Sequence, residues 1–294
     1  MQIQLQECLQ KFFSADYLCI SQTLVSGGDT HQSYVVHLSS VDGIPKKVFA
    51  KVNQGAAIKV LESEFRSLQL VNKLYSGVYP KPLFFEKIDR LGVLIMEFYE
   101  IAALDNINSR AAGNILAQQH KVTREQFGWE DDNFIGLTEQ KNQWNDSWVD
   151  FFREQRLITM LALATEKDLN YASEQKVKLV IDRLDDLLSH HVVPSLVHGD
   201  LWSGNLGMDR QVNRPILFDP APYFGDREVD LAMTELFGKQ SMEFYQAYQD
   251  VLPVETGYEN RKHIYNLYHA LNHVVLFGSS YQGLVDSCLQ AIEI

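Results

Sequence analysis

Apolar and polar positions alternate with a period of two through much of the first third of the chain, a pattern typical of half-buried strands. Residues 17–25, 32–38 and 48–52 are rich in β-branched and aromatic side chains, and turn residues separate them. Residues 83–88 and 93–96 predict a hairpin around a further turn. The pattern therefore predicts a small antiparallel sheet.

Helical spacing interrupts this pattern once and later replaces it. Apolar residues recur every three or four positions over residues 57–75, which predicts one main helix beside the strands. After Tyr99 most of the chain has helical periodicity, including an aromatic stripe that begins at Trp144. We therefore expect an α+β fold with two lobes, residues 1–97 and residues 98–294, of which the second is mostly helical.

The composition argues against several classes of protein. The chain has 294 residues, a formal net charge of -12 and no Lys/Arg-rich run, so we expect neither a nucleic-acid partner nor binding to an anionic membrane. No apolar run approaches the roughly 18 residues of a membrane span, and the first residues lack the pattern of a signal peptide. Cys8, Cys19 and Cys288 are scattered, which predicts neither a zinc site nor a disulfide framework. Cys19 could be a redox-sensitive thiol, but we favour a packing role. We expect a cytoplasmic protein and a monomer.

The stretch from Ser195 to Asp219 contains the strongest indication of chemistry. Asn205 lies five positions after Asp200, and Asp219 lies fourteen positions after Asn205, directly behind the apolar run 216–218. Kinases use this order to present a base and two magnesium ligands to a nucleotide. A single aspartate in a loop is usually a turn or cap residue, so the prediction depends on the combined order. It assigns Asp200 as the proton acceptor, and Asn205 and Asp219 as Mg²⁺ ligands.

A lysine in the predicted sheet could supply the positive charge that phosphoryl transfer requires. Lys51 follows the apolar run 48–50, and its long flexible stem with a point charge suits contact with the phosphates of ATP. A lysine in a strand more often faces solvent, and a lysine held in a cleft needs a carboxylate partner. Glu62 and Glu64 lie on the next predicted helix, and we favour Glu64 as the partner, although either could be a surface residue.

Two further segments of the first lobe are candidates for nucleotide contact. Gly27 and Gly28 form a turn whose backbone N–H groups could cover phosphates. Because the turn lacks the G-x-G-x-x-G pattern, an ordinary hairpin turn is the alternative. Glu97, Phe98 and Tyr99 begin the predicted hinge between the lobes, where backbone groups could bind the adenine edge.

The acceptor of the phosphoryl group is predicted to be a small molecule. The sequence has His198-Gly199-Asp200 where protein kinases have His-Arg-Asp, so it lacks the arginine that contacts a phosphorylated activation loop. Asp230 follows Asp219 by only eleven residues, which leaves little room for a peptide-docking segment. A small hydroxyl-bearing substrate fits this arrangement better than a protein.

Several polar residues near these motifs have roles that the sequence leaves open. Asp226 and Asp230 could cap a helix that begins near residue 226 and brace the predicted catalytic loop, residues 198–205, or they could lie on the helix surface. His120 has no nucleophile to pair with, and we expect it to be structural. His190 and His191 are adjacent at a helix end and point in different directions, so they do not predict a metal site.

The motif H-G-D-L-W-S-G-N at 198–205, followed by F-D-P-A at 218–221, resembles the fructosamine kinase (ketosamine-3-kinase) family. The resemblance extends to V-F-A-K-V-N at 48–53 and to the N-F-I-G and Q-x-N elements between Phe127 and Arg156. It implies a protein-kinase-like fold, with ATP and Mg²⁺ as cofactors. It also implies phosphorylation of a ketosamine at the sugar 3-hydroxyl, a deglycation-type repair activity.

The resemblance implies the same roles for the residues predicted above, with Lys51 on the phosphates and residues 97–99 at the adenine. The expected substrate is then a ketosamine, either free or protein-bound. Trp202 and His198 are candidates for substrate contact, although Trp202 could equally wedge the loop. Two alternatives stay open: a related kinase that acts on an aminoglycoside, a choline-like alcohol or a free sugar, and a nucleotide-binding pseudoenzyme.

Overall fold

The computed structural model describes residues 6, 9, 17–25, 31–40 and 45–293. The chain divides into two compact units. The first unit comprises Met1–Ala102 and Met208–Phe218, and the second comprises Ala103–Gly207 and Asp219–Ile294. The assignment of nucleotide binding to residues 1–97 and of catalysis to residues 98–294 stays a prediction.

The first unit contains a five-stranded antiparallel sheet. Its strands are β1 (Tyr17–Val25), β2 (Gln32–Ser40), β3 (Pro45–Gln54), β4 (Pro82–Ile88) and β5 (Leu91–Glu97). They are hydrogen-bonded in the order β1-β2-β3-β5-β4, which confirms the predicted strands and the predicted hairpin. Residues 26–30 and 41–44 lie outside the described residues, and Gly27 and Gly28 are among them, so the role of that glycine turn stays a prediction.

Side chains alternate along β3 and separate its core residues from its lysine. Val48, Ala50 and Val52 are buried in an apolar cluster on one face of the sheet. Successive side chains of a strand point to opposite faces, so Lys51 lies on the other face. The apolar cluster therefore does not enclose the lysine.

One helix, Ile58–Leu74, packs against β3, β4 and β5 and confirms the helix predicted over residues 57–75. Its buried positions follow the helical period and include Leu61, Leu68 and Val71. Gly92 on β5 permits this close packing, because a Cβ atom there would lie 2.9 Å from Ile58. The helix is thereby fixed on the sheet face that carries Lys51.

A second sheet combines segments that are far apart in sequence. Ile101–Ala102, Leu206–Asp209 and Arg214–Leu217 form three strands, with Leu206–Asp209 in the middle. Within it Met208 pairs with Ala102, and Asp209 pairs with Ile101. The stretch from Met208 to Phe218 therefore belongs to the first unit.

The second unit is mostly helical. Its helices are Asn106–His120, Trp148–Phe152, Thr159–Glu166, Tyr171–Asp182, Leu184–Leu187, Glu228–Leu236, Met242–Val251, Tyr258–Phe277 and Gln282–Ala291. The helix Tyr258–Phe277 is central, because Thr159–Glu166, Glu228–Leu236 and Gln282–Ala291 all pack against it. Among the described helices, none combines the length and the apolar character that a membrane crossing needs. The sheet of the first unit and these helices confirm the predicted α+β class.

The predicted aromatic helix begins later than its pattern indicates. The helix Trp148–Phe152 starts at a cap in which Ser147 Oγ accepts a hydrogen bond from the N–H of Asp150 at 3.2 Å. Trp144 lies before this cap and packs on Phe224, with ring centroids 6.3 Å apart. The prediction of a helical stripe from Trp144 is therefore wrong. The apolar spacing crosses the cap because the half-buried ring of Trp144 packs on Phe224 while the rings of the helix are buried.

Candidate functional site

A two-stranded ribbon in the second unit brings together the segments that carry Asp200 and Asp219. The strand Ser195–Val197 leads into the catalytic loop, and it pairs in antiparallel fashion with Tyr223–Gly225. Just beyond the ribbon, the N–H of Ala221 donates a hydrogen bond to the carbonyl of His198 at 2.9 Å. The two candidate carboxylates are therefore anchored on adjacent segments, although nineteen positions separate them in sequence.

Gly199 makes this close approach possible. Its φ angle is +82°, which places it in the left-handed region that favours glycine. A Cβ atom on this residue would lie 2.1 Å from the carbonyl oxygen of Ala221. The glycine of the H-G-D motif is therefore required by the packing of the two segments.

Asn205 stabilises the catalytic loop through hydrogen bonds to Asp200. Its Nδ2 donates hydrogen bonds to the backbone oxygen of Asp200 at 2.9 Å and to Asp200 Oδ2 at 3.4 Å. Burial, together with the negative charges of Asp219 and Asp230, raises the pKa of Asp200 to about 7, and the hydrogen bond from Asn205 opposes this. The structure thus brings Asp200, Asn205 and Asp219 together as three oxygen-bearing side chains.

Asp230 braces the catalytic loop from beneath. Its carboxylate accepts hydrogen bonds from the N–H of His198 at 2.6 Å and from the N–H of Gly199 at 2.9 Å. His120 Nε2 lies 3.0 Å from the same carboxylate, and His120 Nδ1 lies 2.8 Å from the hydroxyl of Tyr248. Of the two roles left open for Asp230, the brace is confirmed. The structural role expected for His120 is also confirmed.

Asp226 belongs to a second buried polar cluster. Its Oδ1 accepts the N–H of Glu228, where the helix predicted near residue 226 begins, and its Oδ2 lies 2.7 Å from His190 Nε2. His190, Asp226 and Glu228 bring ligand atoms close enough to hold a cation. Arg261, however, binds both carboxylate oxygens of Glu228, at 2.7 and 2.8 Å. The guanidinium supplies the positive charge, so we assign no metal to this cluster. No motif or spacing in the sequence indicated this cluster.

Lys51 of the first unit has the partner that the sequence favoured. Its Nζ lies 2.7 Å from Glu64 Oε1, and only 6% and 10% of the two side chains is exposed. Glu62 instead pairs with the exposed side chains of Arg66 and Lys87. The pair resembles the ion pair that positions a phosphate-binding lysine in kinases. Its contact with a nucleotide stays a prediction.

Two of the predicted hinge residues, Glu97 and Tyr99, are hydrogen-bonded to each other. The hydroxyl of Tyr99 donates a hydrogen bond to Glu97 Oε2 at 3.0 Å. Burial, together with the Glu97 carboxylate, raises the pKa of Tyr99 to about 12. Lys47 Nζ lies 5.5 Å from the centre of the Phe98 ring. These contacts leave adenine binding by residues 97–99 as a prediction.

Comparison with known proteins identifies the family. The family model described as fructosamine kinase matches residues 1–293. The chain belongs to the fructosamine kinase family. A probable ketoamine kinase from Synechocystis is 41% identical over 268 residues, which cover 90% of this chain and 88% of the relative. A chloroplastic protein-ribulosamine 3-kinase from Arabidopsis thaliana is 36% identical, with 83% and 77% of the two chains covered.

Solved structures confirm the fold of this fructosamine kinase family member. A "Putative fructosamine-3-kinase" from Haemophilus somnus has a TM-score of 0.87 and 26% identity, and the match covers 100% of this chain and 98% of the other. Choline kinase LicA from Streptococcus pneumoniae has a TM-score of 0.67 at 19% identity, with 98% of each chain covered. That likeness concerns the fold alone. The predicted protein-kinase-like fold is confirmed.

Two residues of the family motif were candidates for substrate contact. His198 is fully buried, and its Nδ1 accepts a hydrogen bond from the N–H of Asp200 at 3.2 Å. Trp202 is 40% exposed, and its ring lies against Gly204, where a Cβ atom would be 2.1 Å from the indole. The exposed face of Trp202 is compatible with substrate contact, and its packing on Gly204 is compatible with a wedge. Both substrate contacts stay predictions.

Proposed function

We propose that this protein is an ATP-dependent kinase that phosphorylates the sugar 3-hydroxyl of ketosamines, free or protein-bound. Membership of the fructosamine kinase family supports the reaction class. The observation that carries the proposal is the catalytic loop, in which Asp200 is fixed by Asn205 on one side and by the Asp230 brace on the other. A labile phosphorylated adduct would make the activity one of repair.

Each residue of the site has a role in this proposal. Asp200 would orient the attacking hydroxyl and accept its proton, while Lys51 would hold phosphate oxygens. The bond from the γ-phosphorus to the bridging oxygen of ATP breaks, a bond from phosphorus to the sugar oxygen forms, and ADP leaves. Because Asp230 holds the loop through two backbone N–H groups, Asp200 does not need to reorganise when the hydroxyl arrives.

The side chains near Asp200 fit a magnesium ion. Mg²⁺ prefers oxygen ligands, and Asp219 and Asn205 offer a carboxylate and an amide oxygen. Burial first, and then the negative charges of Asp219 and Asp230, raise the pKa of Asp200, and a cation would offset those charges. When bound, Mg²⁺ would neutralise charge on the phosphates. Asp219 and Asn205 are therefore the proposed ligands, and ATP and Mg²⁺ the proposed cofactors.

A coupled assay of ADP release would test the acceptor. The wild-type protein would be offered ribulosamines, fructosamines, choline, free sugars and aminoglycosides, each with Mg²⁺ and with EDTA. We expect turnover on ketosamines with Mg²⁺ and none with EDTA. Turnover confined to choline, a free sugar or an aminoglycoside would contradict the ketosamine proposal. It would show instead that the protein is a related small-molecule kinase.

The same assay on Asp200→Asn would test the catalytic role. We expect kcat to fall by roughly 10²–10⁴, the usual contribution of a general base, with little change in ATP affinity. Asp186→Asn is a suitable control, because Asp186 is exposed on the same unit. Unchanged turnover in Asp200→Asn would favour the pseudoenzyme alternative. The monomeric state and the cytoplasmic location stay predictions from the sequence.

A further inference from the structure

A hairpin of the second unit contacts the segment that follows Asp219. Asn133 and Gln140 face each other across the strand pair Asn133–Ile135 and Thr138–Gln140. Gln140 Nε2 donates a hydrogen bond to the carbonyl of Ala221 at 3.1 Å, and Asn133 Nδ2 donates one to the carbonyl of Pro222 at 2.8 Å. Both side chains are buried. Asn133 and Gln140 belong to the N-F-I-G and Q-x-N elements of the family resemblance.

The two amides are themselves held by further buried groups. Gln140 Nε2 also donates to Asn133 Oδ1 at 2.8 Å, and the hydroxyl of Tyr268 donates to Gln140 Oε1 at 2.9 Å. Asn142 Nδ2 donates to Asn133 Oδ1 at 2.9 Å, and Arg156 Nη2 donates to Asn142 Oδ1 at 2.7 Å. All five side chains are buried. Neither amide can rotate without breaking several hydrogen bonds, so the orientation of both is fixed.

The segment that these amides hold begins with a strained residue. Asp219 has a φ angle of +55°, in the left-handed region that non-glycine residues rarely adopt. The Pro222 nitrogen carries no hydrogen to donate, so this part of the chain is anchored through Ala221 and through its carbonyl groups. Ala221 donates its N–H to His198 at 2.9 Å and accepts Gln140 on its oxygen. A left-handed Asp219 therefore persists because the residues after it are fixed.

We propose that Gln140 and Asn133 are positioning residues that hold Asp219 in the conformation that binds Mg²⁺ beside the nucleotide. The inference rests on the proposed function for the metal role of Asp219. Groups that orient a metal ligand from behind commonly change metal affinity by roughly 10-fold to 100-fold when they are removed. The affinity for Mg²⁺ is then a property of the hairpin as well as of the ligands themselves.

The test is a calorimetric titration with a non-hydrolysable ATP analogue. The Kd is measured in EDTA and in Mg²⁺, and the ratio of the two gives the gain in affinity that the metal provides, with no turnover needed. Gln140→Met keeps the length of the side chain but removes the donor to Ala221. We expect this ratio to fall by about 10-fold or more in Gln140→Met, with the Kd in EDTA unchanged.

Two further variants separate positioning from general damage to the fold. Tyr268→Phe removes only the hydroxyl that orients Gln140, and it should lower the ratio by a few fold even if Gln140→Met does not fold. Ser173→Ala is the matched control, since it removes the hydrogen bond from the buried Ser173 to the half-buried Asp286, between two other helices of this unit, and should leave the ratio unchanged.

The outcomes distinguish the inference from the proposed function. If wild-type protein gains affinity from Mg²⁺ and both Gln140→Met and Tyr268→Phe gain equally, the positioning role is overturned and the kinase proposal stands. If wild-type protein gains nothing from Mg²⁺, the metal role of Asp219 fails, and the positioning role fails with it. A gain that falls in both variants supports the inference whatever the acceptor substrate is.

Discussion

His120 Nε2 lies 3.0 Å from Asp230 Oδ2, and both side chains are buried. Because Asp230 also accepts two backbone N–H groups of the catalytic loop, its removal leaves several buried donors without an acceptor. We predict that Asp230→Ala lowers the free energy of unfolding by about 3 kcal/mol, at the upper end of the cost of unsatisfied buried groups. Urea unfolding measures this change.

The control for Asp230→Ala is Asp250→Ala. Asp250 forms an exposed ion pair with Arg110, which should contribute no more than about 1 kcal/mol. Equal urea midpoints for the two variants would contradict the brace.

The Asp230 carboxylate should also affect how the free energy of unfolding changes at acid pH. Burial raises the pKa of Asp230, but the hydrogen bonds and charge of His120 and His198 outweigh it and leave the pKa below its usual range. A depressed folded pKa contributes stability above the unfolded value of about 3.9, and this contribution disappears as pH falls through the folded pKa. Asp230→Asn should therefore lose less stability than wild-type protein between about pH 5 and pH 2.

Glu64 and Glu62 allow a matched test of the buried lysine pair. Glu64→Gln removes the carboxylate 2.7 Å from Lys51, whereas Glu62→Gln disrupts exposed pairs on the same helix. We predict that Glu64→Gln weakens the binding of an ATP analogue about tenfold, equivalent to about 1.4 kcal/mol, because Lys51 loses its orienting partner. Glu62→Gln should bind within about twofold of wild-type protein. Calorimetric titration measures both, and similar losses would argue against the special role of Glu64.

The strands and the first helix were predictable because their signals are local. The alternation around Val48 and Ala50 and the helical spacing of Leu61 and Leu68 both follow from which face is buried. The error at Trp144 has the same origin, since apolar spacing continues where a loop also packs inside. Periodicity reports burial, and it does not distinguish a helix from a loop at the point where a cap intervenes.

The candidate site was predictable only where a motif carried it. The spacing of Asp200, Asn205 and Asp219 is typical of kinases, and so is a strand lysine such as Lys51 followed by a helix glutamate such as Glu64. The contact of Asn133 with Pro222 has no such signal, because it joins residues 89 positions apart through one amide and one carbonyl. The choice between a brace and a surface position for Asp230 likewise needed the folded chain. Hydrogen bonds between residues far apart in the chain produce no periodic spacing of apolar residues from which they could be predicted.

Cys288 offers a test of burial that is independent of the site. Burial raises the pKa of its thiol to about 12, and Cys19, which is partly exposed, is raised by the same cause. Because the thiolate is the reactive form, we predict that Cys288 reacts with iodoacetamide at about pH 8 roughly a thousandfold more slowly in folded protein than in urea. Peptide mass spectrometry locates the label, with Cys19 as the internal comparison. Equal labelling of Cys288 in both conditions would show that the C-terminal helix opens readily.

The pairing of Ile101–Ala102 with Met208–Asp209 has a consequence for synthesis. On a translating ribosome the strand Ile101–Ala102 emerges long before its partner exists, so the first unit cannot reach its final form until the stretch to Phe218 has been made. An expression fragment that stops at Ala102 would lack residues 208–218, which belong to the same unit. Each unit consists of two segments that alternate along the chain, so neither unit can be completed before part of the other has been synthesised.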